Sequence, residues 1–249
     1  MNPDSEYKLL TDKKNKLDKF KPFPVELVKN LDDWFRVELT YTSNAIEGNT
    51  LTRQETAMVI EKGTTVSGKT LVEQLEAKNH ALAFDFVNTL KIKTRKEIAE
   101  NDILKIHSYI LSGIDDVNAG RYRNVSVRVA GSNVVFPNSV KVSELMKNYL
   151  NWLTSNNTDH PIKFVSDAHL KLVTIHPFVD GNGRTARLLM NLILMQSGFP
   201  SALIRMEDRL EYINAIEKAQ LTNDYTDYYK IIIDAVNRSL DIYLDAVEN

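Results

Sequence analysis

The chain has no cysteine among its 249 residues. Disulfides, thiolate nucleophiles and thiolate metal sites are excluded, and the composition suits a reducing compartment. Glycine (9) and proline (7) are scarce, so the turn chemistry a many-stranded sheet needs is missing. Long apolar runs are missing too. Stretches such as 192–195 fall far short of the ~20 residues that cross a bilayer. The opening Met-Asn-Pro-Asp-Ser-Glu-Tyr-Lys lacks the apolar region of a signal peptide. A cytoplasmic protein with no membrane partner is the expectation. Neither charge sign dominates: 31 basic against 33 acidic residues leave a formal net charge of −2. That removes the general electrostatic case for nucleic acid.

What is present is helical spacing. Apolar residues three and four apart predict helices over 4–20, 25–46, 71–90, 102–111, 144–153, 164–175, 208–221 and about 225–247, with an apolar continuation at 188–195. Thr52-Arg-Gln-Glu55 reads as a capping box opening a short helix that stops at Gly63, and Thr94-Arg-Lys-Glu97 as a second box. Asn101 and Ser143 read as caps of the helices that follow them, and 155–160 as a polar loop. Long stripes are expected to face the core, among them Leu71, Leu75, Leu82, Phe86 and Leu90. The period switches once. Val125, Val127 and Val129 alternate, Val134 and Val135 form a short apolar run, and Gly131-Ser-Asn133 lies between. That pattern predicts one β-hairpin in an otherwise all-α chain.

One loop does not belong in a helix interior. Between the apolar segments 164–175 and 188–195 run His176-Pro-Phe-Val-Asp180-Gly181-Asn182-Gly183-Arg184-Thr-Ala-Arg187. A Gly-Asn-Gly turn entering a helix can point consecutive N–H groups into one concavity, where the helix dipole favours an anion such as phosphate. Arg184 and Arg187 add fixed cationic forks. Asp180 is suited to Mg²⁺ bridging phosphates. His176 is a general base for neutral pH. No Gly-Lys-Ser/Thr follows and no buried strand precedes, so this is not a Walker loop.

The twelve residues 176–187 resemble the Fic-family signature His-Pro-Phe-x-Asp-Gly-Asn-Gly-Arg-x-x-Arg at every specified position. The resemblance implies a Fic fold: a helical bundle core over 70–235, with the hairpin 125–136 as a flap that docks a target segment by strand addition. N-terminal helices over 1–69 would precede the core, and the end of the last helix, 236–249, would follow it. It also implies transfer of AMP from ATP, with Mg²⁺, to a Ser, Thr or Tyr hydroxyl of a target protein, and possible self-modification among the targets. His176 would take the hydroxyl proton and Asp180 the metal. Gly181, Asn182, Gly183 and Arg184 would hold phosphates, and Arg187 the γ-phosphate. A glycine at 183, where Doc-like relatives carry lysine, points to AMP as the transferred group. Tyr212 and Gln220 fall where relatives hold adenine.

Upstream, a glutamate closes the second helix, where the dipole disfavours it. Ser43-x-x-x-Glu47-Gly48 resembles the inhibitory motif of autoinhibited relatives, whose glutamate pairs with the second motif arginine, here Arg187. The inhibitory helix would span about 25–47. Two other functions stay open: a de-AMPylase that uses Glu47 on a water, and a nucleotide-sensing module without transfer. Whether the chain forms a homo-oligomer is also open.

Overall fold

The computed structural model describes residues 3–155 and 159–248. Residues 1, 2 and 249, and residues 156–158 of the expected polar loop, lie outside that description. Ten α-helices occur among the described residues. They are α1 (Pro3–Asp18), α2 (Val25–Ile46), α3 (Arg53–Lys62), α4 (Leu71–Leu90), α5 (Glu100–Leu111), α6 (Val142–Thr154), α7 (Pro161–Ile175), α8 (Asn182–Gln196), α9 (Arg209–Thr222) and α10 (Thr226–Glu248).

The bundle is built around α8. Leu188, Leu189, Met190, Leu192, Ile193 and Leu194 are each at most 1% exposed. A helix apolar on every side must be enclosed by others, and α7, α4, α5 and α2 all pack against it. α7 starts where Pro161 supplies a preset φ and His160 caps, its Nδ1 accepting from the Ile162 N–H at 3.2 Å. The same imidazole stacks on Tyr7 and bonds Thr11 Oγ1 at 2.9 Å, tying α1 to α7. α1 also lies along α10, joined by the Lys13–Asp241 pair.

Several expectations change. The hairpin is absent as paired strands: 125–136 has no regular secondary structure, and its one backbone–backbone bond is the turn contact from the Ser132 N–H to Val129 O, 3.2 Å. Two strands alone gain too little to hold a ladder, and side chains hold this segment instead. Phe20 lies beyond α1, in a turn before Pro22. α5 begins at Glu100 rather than after Asn101, because the Asp102 carboxylate accepts the Ala99 N–H at 2.9 Å. α6 continues from a short 3₁₀ turn, Ser139–Lys141, capped by Asn138 rather than Ser143. α8 begins at Asn182, so both motif arginines are already helical. On α4 the expected leucine stripe is only partly inward: Leu71 and Leu82 are exposed, while Ala77, Ala81, Ala83 and Phe84 are buried. α4 packs against α2, α3, α5 and α8, and small residues allow such close approach.

Candidate active site

The loop between α7 and α8 is six residues, 176–181. His176 ends α7 by turning to the left-handed region, φ 51° and ψ 60°, its N–H donating to Leu172 O at 3.0 Å. A non-glycine residue there costs on the order of 1–2 kcal/mol and persists only where its surroundings enforce it. Two groups do so. Arg123 Nε donates to the His176 carbonyl at 2.7 Å, and the Phe136 ring stacks on the imidazole with centroids 4.0 Å apart. His176 Nδ1 lies 3.3 Å from Val173 O. A carbonyl only accepts, so Nδ1 carries the proton and Nε2 keeps its lone pair. Burial pushes this imidazole down to about 4, partly opposed by the Val173 carbonyl. It is therefore neutral near pH 7, in the form a base requires.

The rest of the loop is pinned from below. Phe178 is fully buried, worth about 1.5–3 kcal/mol of apolar transfer. It stacks on His107 at 3.7 Å. Gly120 N–H donates to His107 Nδ1 and His107 Nε2–H donates to Asp180 O, both at 3.0 Å. Asn182 spends its amide on the Phe178 backbone, accepting from N–H at 2.9 Å and donating to O at 3.0 Å. Its side chain thus orders the loop, and its backbone opens α8. Gly181 has φ +74°, and a Cβ there would stand 3.0 Å from Ile110.

Both arginines are almost sealed. Arg184 is 3% exposed and bridges Glu76 Oε1 at 2.8 Å and Asp180 Oδ2 at 3.0 Å. Arg187 is 5% exposed. It donates to Glu47 Oε1 at 2.7 Å, to Ser43 O at 2.8 Å and, through Nε, to Ser43 Oγ at 3.0 Å. All three contacts come from the C-terminal end of α2, Ser43 in its last turn and Glu47 as the residue that caps it. Glu47 also lies so close to Gly183 that a Cβ on that glycine would run into its Oε1. A carboxylate thus rests against the first turn of α8, the place where a helix start attracts an anion.

His176, Glu47, Asn182, Gly183, Arg187, Tyr212, Gln220, Val129 and Phe136 line one cavity of about 160 Å³. Tyr212 is 2% exposed, with its hydroxyl 2.8 Å from His169 Nε2. Gln220 Nε2 donates to Thr174 Oγ1 at 3.1 Å. A wider groove of about 640 Å³ lies beyond Gln220 between α6, α7, α9 and α10, but it contains neither His176 nor a motif arginine. In the flap, Val134 is buried, Val127 half-buried, and Val125, Val129 and Val135 exposed. Its root is Arg123, donating to Val125 O at 2.9 Å and to Pro137 O at 2.6 Å. Its tip is held where Asn133 N–H donates to Glu217 at 2.8 Å.

The Asp180 side chain is 65% exposed, and its Oδ2 accepts from Arg184. No cluster of three or more His, Asp or Glu ligands exists among the described residues. A hard cation that keeps most of its waters and takes one or two carboxylates plus phosphates fits such a donor; a fully protein-caged metal does not. Sequence reasoning missed Glu76, which holds Arg184 from 108 residues away, and the structural work of His107, Arg123 and His169. Nothing in the local pattern around Glu76 marks it.

The fold and site define a helical protein in which a glycine-rich loop opens a helix carrying two buried arginines, the second paired with a carboxylate from an upstream helix. Residues 97–194 match the profile of the Fic/DOC family. The chain is 40% identical over 206 residues to Protein adenylyltransferase Fic of Nematostella vectensis, covering 82% of this chain and 48% of that protein. It is 37% identical over 211 residues to the protein of the same name in Drosophila grimshawi. It thus spans about half the length of the curated relatives it matches. Among solved structures, a Fic-1 fragment from C. elegans superposes with a TM-score of 0.87 at 33% identity, over 99% of this chain and 74% of that one. A Fic-domain signaling protein from Bacteroides thetaiotaomicron does so at 0.83 and 27%, over 98% and 97%. The chain belongs to the Fic family.

Proposed function

We propose that this chain is an autoinhibited protein adenylyltransferase, moving AMP from ATP to a Ser, Thr or Tyr hydroxyl of a target protein and of itself. The relatives' names supply the reaction class. The observation that carries the autoinhibition is the Glu47 carboxylate, 2.7 Å from Arg187 and lodged against Gly183. Arg187 cannot serve Glu47 and a γ-phosphate together. Two like charges ~4 Å apart repel by ~1 kcal/mol in water and ~4 kcal/mol at an effective dielectric of ~20. ATP bound against Glu47 is therefore pushed out of line for attack.

With Glu47 withdrawn, the backbone of Gly181–Gly183 and the Arg184 fork hold the phosphates, and Arg187 takes the γ-phosphate. Tyr212 and Gln220 border the adenine end of the cavity. Asp180 would hold Mg²⁺, which supplies neutralising charge to the phosphates. The target segment lies along the exposed flap residues Val125, Val129 and Val135. His176 Nε2 accepts the hydroxyl proton as oxygen attacks the α-phosphorus, and pyrophosphate leaves. Catalysis is mainly positioning and charge complementarity.

Labelled ATP tests this directly. Glu47→Gly should raise AMP incorporation at least tenfold, and adding His176→Ala should return it to background. Equal labelling in the two proteins would refute the mechanism. One observation favours a second reading, removal of AMP from a modified target: Glu47 and His176 face the same cavity. Glu47 would then activate a water while His176 protonates the leaving oxygen. Release of AMP from a modified target by the unaltered protein but not by Glu47→Ala would select that direction. A nucleotide-sensing module, the third reading, would bind ATP and never transfer AMP in any variant.

A further inference from the structure

The groove of about 640 Å³ begins where the His176 cavity ends. Gln220 lines both, and its amide is bonded to Thr174 on the groove side. Thr174 lies two residues before His176, so the groove opens beside that histidine. Along α7 it runs back over Lys171 to Asp167, ~10 Å of helix rise from Thr174. Its other walls are aromatic. Trp152 of α6 stands on one side, stacked on Phe164 with centroids 4.7 Å apart. Tyr225 and Tyr229, at the head of α10, stand on the other with rings 5.9 Å apart.

Three charged side chains line this groove: Lys163, Asp167 and Lys171. Two of them satisfy each other. Asp167 accepts from the Tyr229 hydroxyl at 2.5 Å and from Lys163 at 2.8 Å, and Lys163 also reaches Asp159 at 3.5 Å. Lys171 is exposed, lies 5.0 Å over the Trp152 ring, and has no ion-pair partner among the described residues. Residues 156–158, Asn-Asn-Thr, bring no charge that would serve it. Asn148 on the facing helix is exposed and makes no hydrogen bond among the described residues. An amide both donates and accepts, which matches the N–H and C=O of an extended backbone. Tyrosine and tryptophan rings take an apolar side chain, and the ammonium takes a carboxylate.

We propose that this groove docks the target protein: it receives an extended segment beside the acceptor hydroxyl, with an Asp or Glu for Lys171 and an apolar side chain for the Trp152, Tyr225 and Tyr229 walls. The inference rests on the reading that a target hydroxyl is delivered to His176, and it names what the target carries next to that hydroxyl. Strand addition along the flap uses main-chain bonds, which give affinity with little choice of sequence. The groove supplies the choice. Lys171 precedes His176 by five residues, ~7.5 Å of helix rise. An extended chain advances ~3.3 Å per residue, which sets the acidic residue about two to four positions from the hydroxyl.

The test uses the full chain carrying Glu47→Gly and fluorescent synthetic peptides with one hydroxyl residue, supplied in turn as Ser, Thr and Tyr. In one set Leu and Glu flank the hydroxyl on both sides at the spacing above; in the other, Lys replaces Glu. The glutamate peptides should bind about fivefold more tightly, and labelled ATP should modify them with a correspondingly lower KM at similar kcat. Lys171→Glu should invert the order of the two sets. Tyr225→Ala should weaken both sets about fivefold. Both positions are exposed, and neither substitution should shift the affinity for a non-hydrolysable ATP analogue by more than about twofold. Equal binding of the two sets, an order that Lys171→Glu leaves unchanged, or full binding by Tyr225→Ala would overturn the proposal. So would charge-selective binding with no transfer to any peptide while the chain still labels itself. Absence of both self-labelling and peptide labelling, with the binding preference intact, would instead overturn the transferase reading.

Discussion

Gly183 has no side chain, and both of its neighbours depend on that. Glu47 Oε1 occupies the space a Cβ would take, and Arg187 Nη1 stands 3.0 Å from the same point. A methyl group there must displace the carboxylate. Gly183→Ala is expected to destabilise the protein by about 1–2 kcal/mol, as small-to-large changes in packed sites do. In the Glu47→Gly background the cost should fall by at least half, because the new Cβ enters vacated space. A double-mutant cycle by denaturant unfolding checks this; strictly additive losses would show that the two residues do not compete. His176 makes a related point. Its base form depends on burial and on Val173 O, and its left-handed backbone on Arg123 and Phe136. The motif marks this histidine as a candidate base; what keeps it neutral and oriented was not legible there.

At the scale of elements, the flap and the end of α2 carry the interest. The flap's valine alternation was a valid strand signal, yet no partner strand is supplied for it among the described residues. The segment is held at its root because Arg123, 3% exposed, spans the carbonyls of His176, Val125 and Pro137. Arg123→Ala leaves the carbonyls of His176, Val125 and Pro137 without their charged donor. About 3 kcal/mol of stability should be lost, with new proteolytic cleavage within 124–137. Arg123→Lys should not restore the segment, since an ammonium cannot span that fork. Unchanged protease resistance in Arg123→Ala would show that the flap is held elsewhere. At the end of α2, Glu47 sits against the helix dipole, and the Arg187 contact offsets that cost.

Across the whole molecule, burial of histidine sets acid sensitivity. Burial lowers His80 and His169 to about 3, and His107 and His176 to about 4. In the unfolded chain these groups titrate near ~6.5. Between that value and the folded ones the unfolded chain binds more protons, so stability rises with pH through this window. It is fully present above about pH 6.5 and is lost progressively as pH falls toward 4. Urea midpoints at pH 7.5, 6 and 5 should decline in that order, with the slope flattened in His80→Gln, provided the variant folds. A midpoint constant from pH 7.5 to 5 would contradict the buried, neutral assignment. No helix of the described residues is long and apolar enough to cross a membrane.

Sequence alone determined the helical class, the positions of most helices to within a few residues, and the loop that carries His176, the two glycines and the arginines. Those properties are local: periodicity, caps and backbone freedom act over a few neighbouring residues. It also singled out Glu47, because a carboxylate at a helix C-terminus conflicts with a local rule. Only the tertiary structure decided which partners meet. It placed Glu47 on Arg187 and Glu76 on Arg184, 140 and 108 residues apart in the chain. It buried alanines rather than leucines along much of α4, left the flap unpaired, and set His169 between the hydroxyls of Tyr212 and Tyr228. Such pairings depend on how helices pack and on which buried donors and acceptors must be satisfied together, and neither is written in the spacing of any one segment.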